Sequence, residues 1–264
     1  MIRIVGALAG REIIRFLRQP NRVAGSIGQP LLFWLFLGSG FSPTFDAPGL
    51  EGVTYMQYFL PGVLMMLMLF ASIFSSITII EDRDQGFLQG VLVAPVPRVA
   101  IVLGKVGGGA ALAVGQSLIL LVAAPFVGLV PGWGGLALIL GAFVLSALGF
   151  TTLGFAVAWG MRSTSGFHAV MMVFLMPLWL LSGALFPVAT APGWLYALMI
   201  VNPVTHALRL VRLPFHMTPG ELAADPAYLA ALAVTAAWLA VCLGLSVWRV
   251  RRVETGVAPH RAPA

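Results

Sequence analysis

Long apolar runs, broken by short polar stretches, set the pattern of this chain. Six of them approach the roughly 20 residues a helix needs to cross a ~30 Å hydrocarbon core: about 23–41, 56–80, 100–127, 134–160, 167–187 and 228–248. Gln29-Pro30 interrupts the first, which a membrane helix tolerates when neighbours satisfy the freed carbonyl. The pattern predicts an all-α polytopic membrane protein, with six transmembrane helices in a single domain over residues 1–252 and a disordered tail over 253–264.

Two segments depart from it. In residues 2–22, Arg11, Arg15, Arg18 and Arg22 recur at spacings of four, three and four, forming one stripe on a helix. Ile13, Ile14 and Leu17 lie largely away from that stripe, as on a helix resting in the membrane interface; the alternative is a positively charged topogenic tail. In residues 188–227, Trp194–Val201 is apolar but too short to cross a bilayer. Asn202-Pro203 breaks it, and a second short amphipathic stretch follows. This predicts a re-entrant hairpin, which is allowed at depth only where protein or a water-filled cavity covers it; the alternative is a folded loop on the surface.

Composition agrees with the spans. The chain is 59% hydrophobic and 9% charged, against about 25% charged in soluble domains, and spans and short loops leave no room for a soluble catalytic domain. Cys242 is the single cysteine, so no intrachain disulfide forms. The first run of spanning length starts near Val23, late for a signal sequence, so the mature chain is expected to start at residue 1. The net charge of +6 speaks of orientation before nucleic acid, and no nucleic-acid partner is expected. Thirteen of the fifteen basic residues fall on one side of the predicted topology, and only Arg209 and Arg212 fall on the other. The positive-inside rule puts both termini and the 81–98 loop in the cytoplasm.

That loop reads EDRDQGFLQGVLVAPVPR. Glu81, Asp82 and Asp84, with Arg83 among them, favour a helix N-terminus through the macrodipole. Phe87, Leu88, Val91 and Leu92 then recur on one helical face, and Pro95 and Pro97 end it. A charged amphipathic loop on an apolar domain suits a coupling element driven from the water; an ordinary cytosolic loop has the same pattern.

Few residues carry chemistry of their own. The only Gly-Lys pair, Gly104-Lys105, is followed by Val106, and Val99 stands where a phosphate-cradling loop needs its first glycine. The chain therefore has no ATP site and is not expected to be an enzyme. Lys105 is expected to snorkel from a span end, and His168 to sit at the interface. With no ionisable residue left inside the spans, the parts of an ion or proton pathway are missing. So are those of intramembrane hydrolysis or a metal site. Gly104-x-x-x-Gly108 and Gly107-x-x-x-Ala111-x-x-x-Gly115 offer small faces for close helix packing. Phe33, Trp34 and Phe36 in the first span and Phe174, Trp179 and Phe186 in the fifth are candidates to line an apolar route. His206, Arg209 and Arg212 share one helical face; they fit an anionic head group or ion pairs with Glu221 and Asp225.

The sequence resembles a known family at two places. Glu81 through Arg98, with Gly86, Phe87, Leu88, Leu92, Pro95 and then Gly104-Lys105, is similar to the loop after the second span in permeases of type-2 ABC exporters. SGALFP at 182–187, Pro192-Gly193 and NPVTHALRLVR at 202–212 resemble that family's fifth span end and external loop, especially in the branch of drug-exporter and nodulation-factor-exporter permeases. The resemblance implies a multi-pass protein of the bacterial inner membrane, paired with a second permease, expected to be a second copy, and with two cytoplasmic ATPase subunits that hold ATP and Mg. No cofactor is expected in this chain. It implies that 81–94 is a coupling helix seated in a groove on the ATPase, and that the helix bearing Arg11, Arg15 and Arg18 lies along the cytoplasmic interface, against lipid, and also touches the ATPase. It also places spans one and five beside the substrate path. The expected function is export of an amphipathic or lipid-linked substrate such as a drug, glycolipid or saccharide. The alternatives are a membrane scaffold that docks a cytosolic partner, and a secondary transporter.

Overall fold

A helix that is apolar all round buries itself, and one apolar on a single face settles at an edge. The computed structural model, which describes residues 1–45, 52–94 and 96–252, is arranged this way, and its described residues contain helices and no strand. The helices are α1 (Ile2–Leu17), α2 (Pro20–Phe41), α3 (Tyr55–Ser75), α4 (Ile77–Asp84), α5 (Phe87–Val93) and α6 (Arg98–Leu121). They continue as α7 (Trp133–Gly160), α8 (Thr164–Leu180), α9 (Gly193–Val201), α10 (Pro203–Arg212), α11 (Pro219–Ala224) and α12 (Pro226–Arg252). The tail at 253–264 lies outside the described residues.

α3 is the hub. Phe59, Leu60, Val63, Leu64, Met65, Met68 and Leu69 are all fully buried, and α2, α6, α7, α8 and α10 pack around them. After a break at Ser76 the same rod continues as α4. Five rods are long and apolar enough to cross a membrane: α2 with the turn after it, α3 with α4, α6 with the turn after it, α7, and α12. The chain is an all-α polytopic membrane protein.

Two expected boundaries shift. The basic N-terminal stripe is not one helix: Pro20 cannot continue α1 but is pre-shaped for a first helical position. α1 therefore ends at Leu17 and Arg22 belongs to α2. The fifth span, expected over 167–187, is helical only from Thr164 to Leu180, because the chain turns at Gly183 with φ of +82°. At 17 residues α8 is a shorter apolar helix, about 26 Å long at about 1.5 Å per residue. α9 and α10 form a bent pair at 81°.

Lipid tails do not drive apolar helices together, so close packing relies on small residues. A β-carbon at Gly104 would lie 2.7 Å from Leu8 Cβ, and one at Gly108 would lie 2.9 Å from Glu12 Cβ. The Gly104-x-x-x-Gly108 face thus receives α1, and not another span. α1 turns Leu8 and Glu12 into the protein and leaves Ile14 and Leu17 exposed.

Candidate functional site

α1, α4 and α6 meet at one end of the bundle, and their charged side chains meet with them. Arg11 donates from both Nη atoms to the two Asp82 oxygens at 2.8 Å. Arg15 donates to Asp82 at 3.1 Å and to Glu81 at 2.6 Å. Lys105 Nζ donates to Glu12 at 2.5 Å, and also to Asp82. Three cations and three carboxylates therefore form a neutral cluster. Its centre is dry: Glu12, Asp82 and Lys105 keep at most 5% of their surface. Hydrogen bonding to Asp82 raises the Arg11 pKa above its ordinary value, outweighing the opposite effect of burial.

Two expectations are corrected here. Lys105 does not snorkel: Glu12 and Asp82 hold it inside, so the spans do contain a buried ionisable residue. Glu81, Asp82 and Asp84 do not start a helix, because the α3–α4 rod runs through them and they occupy its last turn. Acids are disfavoured at that end of a helix dipole, and Arg11, Arg15 and Lys105 offset the cost.

Beyond the cluster the chain reverses at Gly86, whose φ of +75° suits glycine, and α5 begins. Leu88 is buried at 3% exposure, and Val91 and Leu92 pack partly against the core. Phe87 lies under the Arg11 guanidinium, 3.8 Å from it to ring centroid. Arg83 points the other way and caps the end of α7, donating to the carbonyls of Trp159 at 2.8 Å and Met161 at 2.7 Å. Arg98 donates to the Leu92 carbonyl at 3.1 Å, and Pro95 lies outside the described residues. Asp84, Gln85, Gly86, Gln89, Gly90 and Val93 stay exposed, Val93 at 88%. Arg18 is also exposed.

At the opposite end α10 is fastened to α3 and to the turn after α8. Arg212 donates to the Gly183 carbonyl at 3.0 Å and stacks on Tyr58, 4.2 Å from its centroid, while the Tyr58 hydroxyl donates to Gly183 at 2.6 Å. His206 Nε2 lies 2.8 Å from the Ile200 carbonyl at the end of α9. Asn202 caps α10 through the Val204 amide and donates to the Leu178 carbonyl at 2.6 Å. Glu221 is taken up by a capping box with Thr218, and Asp225 accepts from the Ala227 amide. Among the described residues, neither an open anion site nor the expected ion pairs with Glu221 and Asp225 forms around Arg212 and His206; backbone carbonyls and the Tyr58 hydroxyl take donors from both, and the buried Arg212 Nε has no partner. Arg209 is half-buried on the same helix.

The six aromatics divide. Trp34 and Trp179 are core residues whose indole N–H groups donate to the Met56 and Gly62 carbonyls at 3.0 and 2.8 Å, so neither lines an open route. Phe33 packs between Phe59 and Trp179, and Phe186 is half-buried. Phe36 and Phe174 are exposed. A cavity of about 370 Å³ opens between α1, α2, α3, α6 and α8, within the range typical of small-molecule sites. Arg22, Asn21 and His168 are among its polar lining, and Met66, Met172 and Met176 line its apolar wall; Phe36 and Phe174 do not line it.

The sequence pattern of ABC-2 type transporters matches residues 4–215, from α1 through α10 and the turn after it. This chain belongs to that family. Proteins similar to it include the putative transport permease ycf38 of Cyanophora paradoxa, 30% identical over 208 residues, 78% of this chain and 71% of its own length. The inner membrane transport permease YadH of Escherichia coli K12 is 31% identical over 217 residues, 78% of this chain and 80% of its own length. The daunorubicin resistance ABC transporter permease protein DrrB1 of Streptomyces coeruleorubidus is 26% identical over 216 residues, 80% of this chain and 74% of its own length.

As an ABC-2 permease, the chain is a transmembrane subunit of an ABC transporter, and the family implies a separate ATPase partner. Two residues of the geometry carry no signal in the sequence: Glu12 sits inside an arginine stripe and Gln116 inside an apolar run. For Lys105 the usable signal was a lone charge inside an apolar helix, which calls for a partner.

Proposed function

We propose that this permease is one half of an ATP-driven exporter that moves amphipathic or lipid-linked molecules out of the cytoplasm or the inner leaflet. Two copies pair in the bacterial inner membrane, with both termini in the cytoplasm and an ATPase subunit beneath each. α5 is the coupling helix, and α9–α10 is a re-entrant hairpin on the outer side. ATP binding closes the ATPase pair and moves α5; the push repacks the two halves and switches access to the cavity.

The observation that carries this reading is α5 itself. It is a short helix with one face packed on the bundle and the other, Gln89, Gly90 and Val93, bare. An 88%-exposed valine on a polar turn is a natural anchor for a partner groove. The family supplies the partner, and the likeness to the daunorubicin resistance permease DrrB1 supports drug-like cargo.

Val93→Glu with Gln89→Lys tests it, because neither side chain supports the fold. In a co-purified complex, ATPase recovery and substrate-stimulated turnover fall while permease thermal stability holds. Wild-type assembly and transport by this variant would sink the coupling assignment. Wild-type ATPase binding by the unmodified chain, with no transport of any amphiphile, would favour a scaffold instead.

A further inference from the structure

The cavity between α1, α2, α3, α6 and α8 contains one group that its surroundings do not explain. Gln116 on α6 is 95% buried and lines the cavity, and no described residue bonds its buried amide oxygen. Its neighbour Ser117 faces Met68, in the middle of the α3–α4 rod. An amide left unpaired at that depth in a membrane helix costs several kcal/mol. A ligand that brings a hydrogen-bonding group to Gln116 removes the cost.

The cavity's lining adds a second requirement. Arg22 lines it too, engaged among the described residues by Gln19 at 3.4 Å and by the Phe16 ring. Arg15, by contrast, is held by Glu81 and Asp82. Met66, Met172 and Met176 add an unbranched, polarisable wall that adapts to apolar bodies of different shape.

We propose that this cavity binds an amphiphile: an anionic head at Arg22, an apolar body along the methionine wall, and a hydroxyl or amide on that body paired with Gln116. Gln116 is thus a specificity residue that separates such molecules from ordinary membrane lipid, whose chains carry no donor at that depth. The role of the site in transport rests on the export reading above, but its occupancy does not.

The test uses 12-hydroxystearate and stearate, which differ only by a mid-chain hydroxyl. Binding is measured by native mass spectrometry on the full chain with its ATPase, in phosphatidylcholine nanodiscs without nucleotide. Wild type should bind 12-hydroxystearate about tenfold more tightly than stearate, the worth of one good buried hydrogen bond. Gln116→Leu, which swaps an unpaired amide for an apolar side chain of similar size, should keep stearate affinity and erase the preference. Met176→Trp should block both by filling the cavity, and Arg22→Gln should weaken both. Equal affinity for the two probes in wild type, or a preference that survives in Gln116→Leu, overturns the assignment. So does loss of binding when phosphatidylglycerol replaces phosphatidylcholine, which would give the cavity to bulk anionic lipid. If the ATPase fails to assemble while the Gln116-dependent preference remains, the export reading fails and the site stands.

Discussion

Replacing Lys105 by methionine separates a structural role for the charge cluster from an incidental one. In the native cluster three cations face three carboxylates. Lys105→Met leaves a net charge of −1 in the driest part of the protein, where Asp82 is fully buried and Glu12 keeps 5% of its surface. Asp82 still has Arg11 and Arg15, but Glu12 retains only Arg11 at 3.4 Å. Breaking a buried pair by removing one partner costs ~3–5 kcal/mol, and the near-complete burial leaves no reason to discount it for solvent. For a chain of this length that is a fall of roughly 10 °C in Tm. Glu12→Gln, the complementary change, leaves +1, but Arg11 and Arg15 keep 31% and 23% of their side-chain surface and shed the excess charge into water, so its cost is smaller. The double variant Glu12→Gln/Lys105→Met balances the remaining charges and should recover most of the loss, giving a coupling energy well above ~1 kcal/mol. Thermal unfolding of the detergent-purified chain, followed by loss of the monodisperse peak, reads all four members of the cycle. A Lys105→Met protein as stable as wild type, or a double variant whose losses simply add, refutes the cluster as a structural unit.

Other expectations are more local. Gly104→Leu forces a side chain into Leu8 Cβ, 2.7 Å from the Gly104 β-carbon position, and should detach α1. Overpacking of this kind costs about 1–3 kcal/mol or more, and a cysteine crosslink between positions 9 and 108 should then fail to form. Arg212→Ala strips the Gly183 carbonyl and the Tyr58 hydroxyl of a shared partner, at a cost of about 2 kcal/mol; a Tm equal to wild type would mean the arginine is free for another role. Leu198→Cys in a Cys242→Ala background should react poorly with an impermeant thiol reagent in intact cells, and full labelling would make α9–α10 a surface loop. Glu81→Lys/Asp82→Lys should destabilise the permease in the absence of any ATPase, because both acids are occupied within the chain; unchanged stability of the isolated permease would contradict that.

The helices were legible because a lipid-facing rod must be apolar over its whole length, and such runs survive any detail of packing. What was not legible was who faces whom. The same four arginines that give a clean interfacial stripe belong to two helices, because Pro20 breaks the periodicity that a spacing count ignores. The acidic run looks like a helix start when read alone; only its position at the end of the α3–α4 rod shows that it finishes one. Lys105 was assigned to the interface because snorkelling is the default for a lone lysine near a span end. Its true partners lie 93 and 23 residues away in sequence, a distance over which no local pattern carries information. Trp34 and Trp179 looked like route-lining aromatics, yet their N–H groups needed carbonyls and found them in α3.

The cluster also bears on how motion would travel from α5. If α5 were joined to the bundle only through the Gly86 turn, a push on it would be absorbed there, since a glycine with free rotation is a hinge. Arg11 prevents this. Its guanidinium bonds Asp82, before the turn, and stacks on Phe87, after it, so one α1 side chain bridges both sides of the hinge. Asp82 is bonded in turn to Lys105 of α6, and Glu12 ties the same lysine back to α1. A displacement of α5 is therefore shared among α1, α4 and α6, through buried contacts that have little room to slip. All three of those helices help to wall the cavity that Gln116 lines, α4 through Thr78. A push on the exposed face of α5 would therefore reach the cavity through the N-terminal helix as well as along the α3–α4 rod to which α5 is covalently nearest.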